Sequence, residues 1–217
     1  MKQFSIGRAA QNIFLAVFAV ALTVFILGPL VWLAIRAFAT TRTYPNLLPD
    51  GWTLHWWDVV LKDSSMQSAI LNSLVISPVV VLVSAVICLP AAYAFSRFTF
   101  FGRKTFLVLL FSVNSFPKMG LFAAMASLFY TLNLMGTFVG VVIVQILGTV
   151  IFMTWIPAAA FSSVAPSLEE AARDAGASKL RVFFGVTLRM ALPGILVALV
   201  MSFLAAFDEA QGTYLVG

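Results

Sequence analysis

Charge is scarce in this chain. Its 217 residues carry 13 basic and 8 acidic side chains, 10% of the total, where soluble domains carry about 25%. That excludes an ordinary soluble domain. Cysteine is nearly absent: Cys88 stands alone and cannot close an internal disulfide, and with His55 as the single histidine no Cys/His zinc site can be assembled. No G-x-x-x-x-G-K-[ST] phosphate loop occurs, and there is no solenoid-type repeat or low-complexity tract. No metal, cofactor or catalytic centre is therefore expected. Disorder is excluded by the low charge and the 14% of aromatic residues, among them 21 Phe. What the chain has in quantity is hydrocarbon, with 62% apolar side chains and a mean hydropathy of +1.04. In so apolar a chain a net charge of +5 points to basic loops beside a membrane rather than to nucleic acid.

Crossing a bilayer takes about 20 apolar residues in a helix, because the backbone must satisfy its own polar groups. Five stretches meet that requirement: Ile13–Ile35, Ala69–Phe95, Phe106–Tyr130, Thr137–Pro157, and Pro193–Phe207 continuing past Asp208 and Glu209. They are continuously apolar rather than alternating, which argues against a barrel. The first is too long for a signal-peptide core and reads as an uncleaved span. Lys2, Arg8, Arg97, Arg103, Lys104, Arg173, Lys179, Arg181 and Arg189, nine of the 13 basic residues, fall on one side. By the positive-inside rule that side, with the amino terminus, is cytoplasmic. The outer segment from Arg36 to Gln67 holds Trp52, Trp56 and Trp57, as expected of an interfacial anchor, with His55 an interfacial residue among them. The expected organisation is an N-terminal span with its outer loop (residues 1–68) and a core bundle (residues 69–217).

The connection between the last two spans, residues 158–192, has helical grammar. Ser167-Leu168-Glu169-Glu170 has the form of a capping box, and its two carboxylates suit the positive end of the helix dipole. Gly176 ends or bends this helix, and Ser178 can cap a second one. Two roles fit such a knob. It is either an amphipathic segment whose arginines face anionic lipid or a docking element for a cytoplasmic partner. The small residues Ala171, Ala172, Ala175, Gly176 and Ala177 allow close approach and bury little in lipid, which favours protein contact.

Glu170-Ala171-Ala172, three residues, Gly176, and then Val186-x-Leu188 resembles the EAA loop of permease subunits in bacterial ATP-binding-cassette (ABC) importers. The family pattern closes on Pro where this chain has Arg189, with Pro193 following; that leaves the position of the helix break open. Asn72-Ser73 and the tract Ala91–Lys104 are similar to other parts of the family. The resemblance covers roughly residues 50–217. It implies an all-α polytopic bundle of the MetI-like permease fold, with five spans visible where six are usual, so that the sequence reads as a fragment. It further implies a bacterial inner-membrane location and a pathway for a small organic solute. The implied partners are a dimer of ATPase subunits, a second permease subunit and an extracytoplasmic binding protein, within the lipid bilayer and without nucleic acid. The chain itself would be a transporter subunit and not an enzyme. Glu169, Glu170, Ala171, Ala172, Asp174 and Gly176 would form the surface coupled to the ATPase.

Polar residues inside spans are costly against lipid, so they face the bundle interior. Asn114, Ser115 and Lys118, Gln145, and Asp208 with Glu209 are candidates for the solute pathway. Interhelical hydrogen bonds or interface positions account better for the first four, and simple solvation at the outer membrane edge accounts equally well for the acidic pair. Ser202–Glu209 and Ala172–Ser178 are similar to polyamine-type permeases, while Ala91–Lys104 and Leu128–Gly140 look closer to maltose-type ones. The acidic pair tilts the expected solute toward an organic cation, with a carbohydrate as the alternative. A channel or facilitator working without ATP is a further alternative, though it leaves the small-residue loop unexplained. Pro29, Pro78, Pro90 and Pro117 are candidate kinks.

Overall fold

The computed structural model describes residues 3–40, 49–112 and 115–217, with side chains from residue 10 onward. Two compact units make up the chain, Met1–Ala69 and Ile70–Gly217. Among the described residues all regular structure is helical, apart from one isolated antiparallel bridge between Ala39 and Trp52. Among the described residues four helices are long and apolar enough to cross a membrane.

The first unit begins with α1 (Gln3–Ala37). At about 1.5 Å per residue its 35 residues exceed a hydrocarbon thickness of about 30 Å. Phe14, Val17, Phe25 and Leu33 are exposed, the state of a helix whose solvent is lipid. The segment that follows folds back on the end of α1. The Thr40 amide donates to the Gly51 carbonyl at 3.0 Å and the Thr53 amide to that of Phe38 at 2.7 Å. Trp56 donates its indole N–H to the Ala39 carbonyl at 2.9 Å, and the Phe38 and Trp57 rings pack 5.7 Å apart. An apolar ring with its one polar atom satisfied suits an interface. A short helix, α2 (His55–Lys62), leads to Asp63, whose carboxylate accepts from the Ser65 amide at 2.8 Å and the Met66 amide at 3.2 Å. This caps α3 (Ser64–Arg97), which runs on into the second unit.

The second unit is built on α6 (Phe138–Ser163). It begins where the Thr137 hydroxyl accepts from the Gly140 amide at 3.0 Å. Along α3 the buried residues Ser77, Val80, Val81, Ser84, Cys88 and Ala92 recur in steps of three and four, one helical face. Along α9 (Leu188–Phe207) the buried positions are Ala191, Ile195, Ala198, Ser202 and Ala206. Four of these five are small, so α9 and α6 approach closely, which is how membrane helices gain packing energy without a hydrophobic driving force. They come close at Gly194, where an added Cβ would lie 2.5 Å from Ala160 Cβ. Phe161, Met153 and Val142 of α6 anchor successive core layers against Ile195, Ala198 and Ala206 of α9. Within this core Ser84 Oγ and Thr149 Oγ1 pair with one another, 2.6 Å apart, while the Ser77 and Ser202 hydroxyls have no partner among the described residues.

The structure corrects the expected span boundaries in three places. The third stretch is two helices, α4 (Arg103–Ser112) and α5 (Lys118–Thr131). Pro117 supplies the reason for the break: it has no N–H to donate and its ring excludes the residue before it from helical geometry. Pro78 and Pro90, by contrast, stay inside an unbroken α3. The last helical run starts at Lys179 rather than Pro193. It comprises α8 (Lys179–Val182), a π-helical turn at Phe183–Thr187 and α9. With Arg189 in the position of the family's proline, no break occurs there. Finally, α9 stops at Phe207, and α10 (Gln211–Val216) is a separate short helix set against α5 and α6. Gly212 makes that seat possible, because a Cβ there would strike Val144 and Phe122.

Candidate functional site

At one end of the core unit, α7 (Pro166–Asp174) and α8 form an elbow. Pro166 occupies the first turn of α7 and Ala165 precedes it without a side-chain cap. The expected capping box at Ser167 is therefore not formed. Proline, already lacking an N–H and fixed near helical φ, starts the helix one residue earlier. The other end behaves as expected. Gly176 has φ +88°, the Ala177 amide donates to the Ala172 carbonyl at 3.0 Å and the Gly176 amide to that of Arg173 at 2.8 Å. This is a Schellman closure, which needs the left-handed conformation that glycine adopts without strain. Ser178 then accepts from the Arg181 amide at 3.4 Å and opens α8. Glu170, Ala171, Asp174 and Gly176 are exposed and Ala172 is half-buried. Glu169 is buried at 7% exposure. Its Oε1 accepts from the Arg97 guanidinium at 2.7 Å and from the Thr187 hydroxyl at 2.7 Å.

A second site lies deeper, beside the middle third of α6, where two interrupted helices meet. Lys118 begins α5 after the Pro117 break, and Asp208 and Glu209 follow the end of α9. Together with Gly148, Phe152 and Gln211 they line a cavity of about 420 Å³. Glu209 Oε1 accepts from the Gly212 amide at 3.0 Å. Its other oxygen lies 3.8 Å from Lys118 Nζ, the carboxylate being 7% exposed and the lysine 53%. The acidic pair thus sits well inside α6's length rather than at its end. Interrupted helices supply polar backbone and side chains at membrane depth, where irregular chain is tolerated only around a cavity or within protein.

The remaining sequence candidates fall elsewhere. Gln145 is buried and donates to Thr213 Oγ1 at 3.0 Å, tying α6 to α10, the interhelical role set out above. Ser115 is exposed between α4 and α5 and does not line the cavity. Asn114 lies outside the described residues. Sequence reasoning did not single out Arg97 and Thr187 as partners of Glu169, nor Gln211 as a cavity residue. The carboxylate beside the EAA triplet was a signal for the first two, since a second acid there needs a partner if it turns inward.

A helical membrane bundle with a charged cavity at its broken helices and a glycine-turned elbow at one end has the make-up of a membrane transport subunit. Residues 2–217 match the family described as binding-protein-dependent transport system inner membrane component, and the chain belongs to that family. It is thus a permease component of an ABC importer with the MetI-like fold. The chain is 27% identical over 203 residues to a trehalose/maltose transport system permease protein of Thermococcus litoralis, covering 92% of this chain and 73% of that protein. It is also 27% identical to a maltodextrin transport system permease protein of Bacillus subtilis, covering 94% and 74%. A diacetylchitobiose uptake system permease protein of Streptomyces coelicolor is 26% identical, covering 86% and 63%. In fold, the chain matches a solved bacterial ABC transporter involved in the import of the acidic polysaccharide alginate. That match has a TM-score of 0.67 and 20% identity, and covers 100% of this chain and 79% of the other.

Proposed function

We propose that this subunit forms part of the translocation pathway for a carbohydrate, delivered by an extracytoplasmic binding protein and driven by a separate ATPase dimer that grips the α7 elbow. In this reading a second permease subunit completes the pathway, and the elbow and amino terminus face the cytoplasm of a bacterial cell. The observation that carries the pathway is the convergence of Lys118 with Asp208 and Glu209 at two helix breaks beside the middle of α6. Two helix packings, biased by nucleotide at a distant site, would open that cavity alternately to each side.

The expected lean toward an organic cation gives way to its carbohydrate alternative. The relatives named above are sugar permeases by description. The charge of Glu209 also has a cationic partner in Lys118 and an amide donor in Gly212, so it offers less to a cationic solute than the bare sequence suggests. Paired carboxylates and an amide such as Gln211 still accept hydrogen bonds from sugar hydroxyls.

A binding screen of the cognate binding protein tests the solute class. Maltose, trehalose and maltodextrin are expected to shift its melting temperature while putrescine and spermidine do not; the reverse pattern overturns the carbohydrate reading. The coupling assignment predicts that Glu170→Lys abolishes uptake by the assembled transporter while the subunit still reaches the membrane.

A further inference from the structure

Nine residues make a marginal helix in isolation, so α7 must be held in place by tertiary contacts. Its outer face offers little to hold it: the one buried side chain of α7 is the charged Glu169. The attachment of the elbow therefore rests on a polar node. Arg97 at the end of α3 donates to Glu169 Oε1 at 2.7 Å and to the Val164 carbonyl, just past the end of α6, at 3.0 Å. Thr187, in the π-helical turn that leads into α9, donates to the same Oε1 at 2.7 Å. The side chains of the pair, taken alone, are 14% and 10% exposed, and Thr187 is buried. A charge so enclosed is tolerated only with its partners in place, and removing one leaves the other costly. One turn before Arg97, the Tyr93 ring packs edge-on against Phe161 at 5.4 Å and Phe183 at 5.0 Å.

We propose that Arg97, Glu169 and Thr187 pin α7 to the ends of α3, α6 and α9 as one rigid body. Glu169 is then a positioning residue, and Glu170 is left to face the ATPase. This rests on the reading of α7 as the coupling helix and adds the path by which its displacement reaches the membrane. A push on α7 is delivered at once to α3 through Arg97 and to α9 through Thr187, rather than absorbed by a flexing loop. Rigid transmission of this kind is what a two-state bundle needs to switch as a unit.

Hydrogen exchange of the α7 amides, measured by mass spectrometry on the full chain in lipid nanodiscs, tests the pin without any ATPase present. Thr187→Val keeps the shape and removes the donor, while Thr187→Ser keeps the donor and removes a methyl. Exchange across residues 166–177 is expected to quicken about tenfold in Thr187→Val, which loses one hydrogen bond to a charged group, and in Glu169→Gln, which keeps an acceptor oxygen but removes the charge that pairs with Arg97. It should stay at the wild-type rate in Thr187→Ser, with the α6 core protected throughout. Unchanged exchange in Thr187→Val, or faster exchange in Thr187→Ser than in Thr187→Val, overturns the proposal in favour of simple packing. If Glu169→Gln loosens the α6 core as well, the Thr187 comparison decides alone. In the assembled transporter, Thr187→Val should retain bound ATPase but lose the stimulation of hydrolysis by sugar-loaded binding protein, using maltose as the probe. Retention of that stimulation alongside a loosened α7 removes the transmission role. Normal transport by Glu170→Lys, with the exchange pattern as expected, would instead remove the docking assignment and leave the pin standing.

Discussion

The close approach of α9 to α6 makes a quantitative demand on Gly194. A Cβ built there lies 2.5 Å from Ala160 Cβ, and the next atom, Ala160 Cα, is 3.7 Å away. Carbon atoms in ordinary contact sit about 3.5–4.0 Å apart, so Gly194→Ala must push α9 and α6 apart by about 1 Å. Overpacking of this size costs about 1–3 kcal/mol, partly offset by a gain of about 0.5–1 kcal/mol from replacing a helical glycine. Ala160→Gly alone loses that same propensity term. In the double variant the two propensity terms cancel and the conflicting methyl is gone, leaving only the 3.7 Å contact. The expected result is a lowered melting temperature for Gly194→Ala in nanodiscs, a lowered one for Ala160→Gly, and recovery to near wild type in the pair. The coupling energy of that cycle should be about 1–3 kcal/mol. Additive losses in the double variant would refute the close approach of α9 to α6, and with it the small-residue account of their interface.

Three further outcomes follow from the geometry. Gly176→Val places a β-branched residue at φ +88° and should cost about 1–2 kcal/mol of elbow stability, read as reduced ATPase co-purification with normal membrane insertion. Lys118→Met leaves the enclosed Glu209 carboxylate without its cationic neighbour. The melting temperature should fall, and adding Glu209→Gln should restore it; a loss that deepens in the double variant would sink the pairing. Gln145→Leu removes the donor to Thr213 and should cost about 1 kcal/mol while leaving the preference among sugars in an uptake competition unchanged, since Gln145 lies outside the cavity lining.

Several features could be read directly because each is local. Membrane helices announce themselves through the length of their apolar runs: α3 and α6 follow the expected spans with modest extensions at their ends, and α1 contains its expected span but begins at Gln3 rather than Ile13. The glycine turn at Gly176 and the cap at Ser178 are decided by residues within a few positions of each other. Where two local signals compete, proline prevails: Pro166 outranks Ser167 as the start of α7, and Pro117 outranks the apolar run around it.

The amino-acid order by itself therefore determined the lipid environment, the helical class, the elbow and the family. It did so because hydropathy, capping and glycine geometry depend on neighbours in the chain. Which of two adjacent glutamates turns inward, and whether an acidic pair lies at a membrane edge or beside the middle of a helix, was decided by tertiary structure alone. Glu169 meets Arg97 across 72 residues, and Lys118 meets Glu209 only because two separate helices break at the same depth. A buried charge is fixed by the partner the fold brings to it, and that partner is invisible to any local pattern.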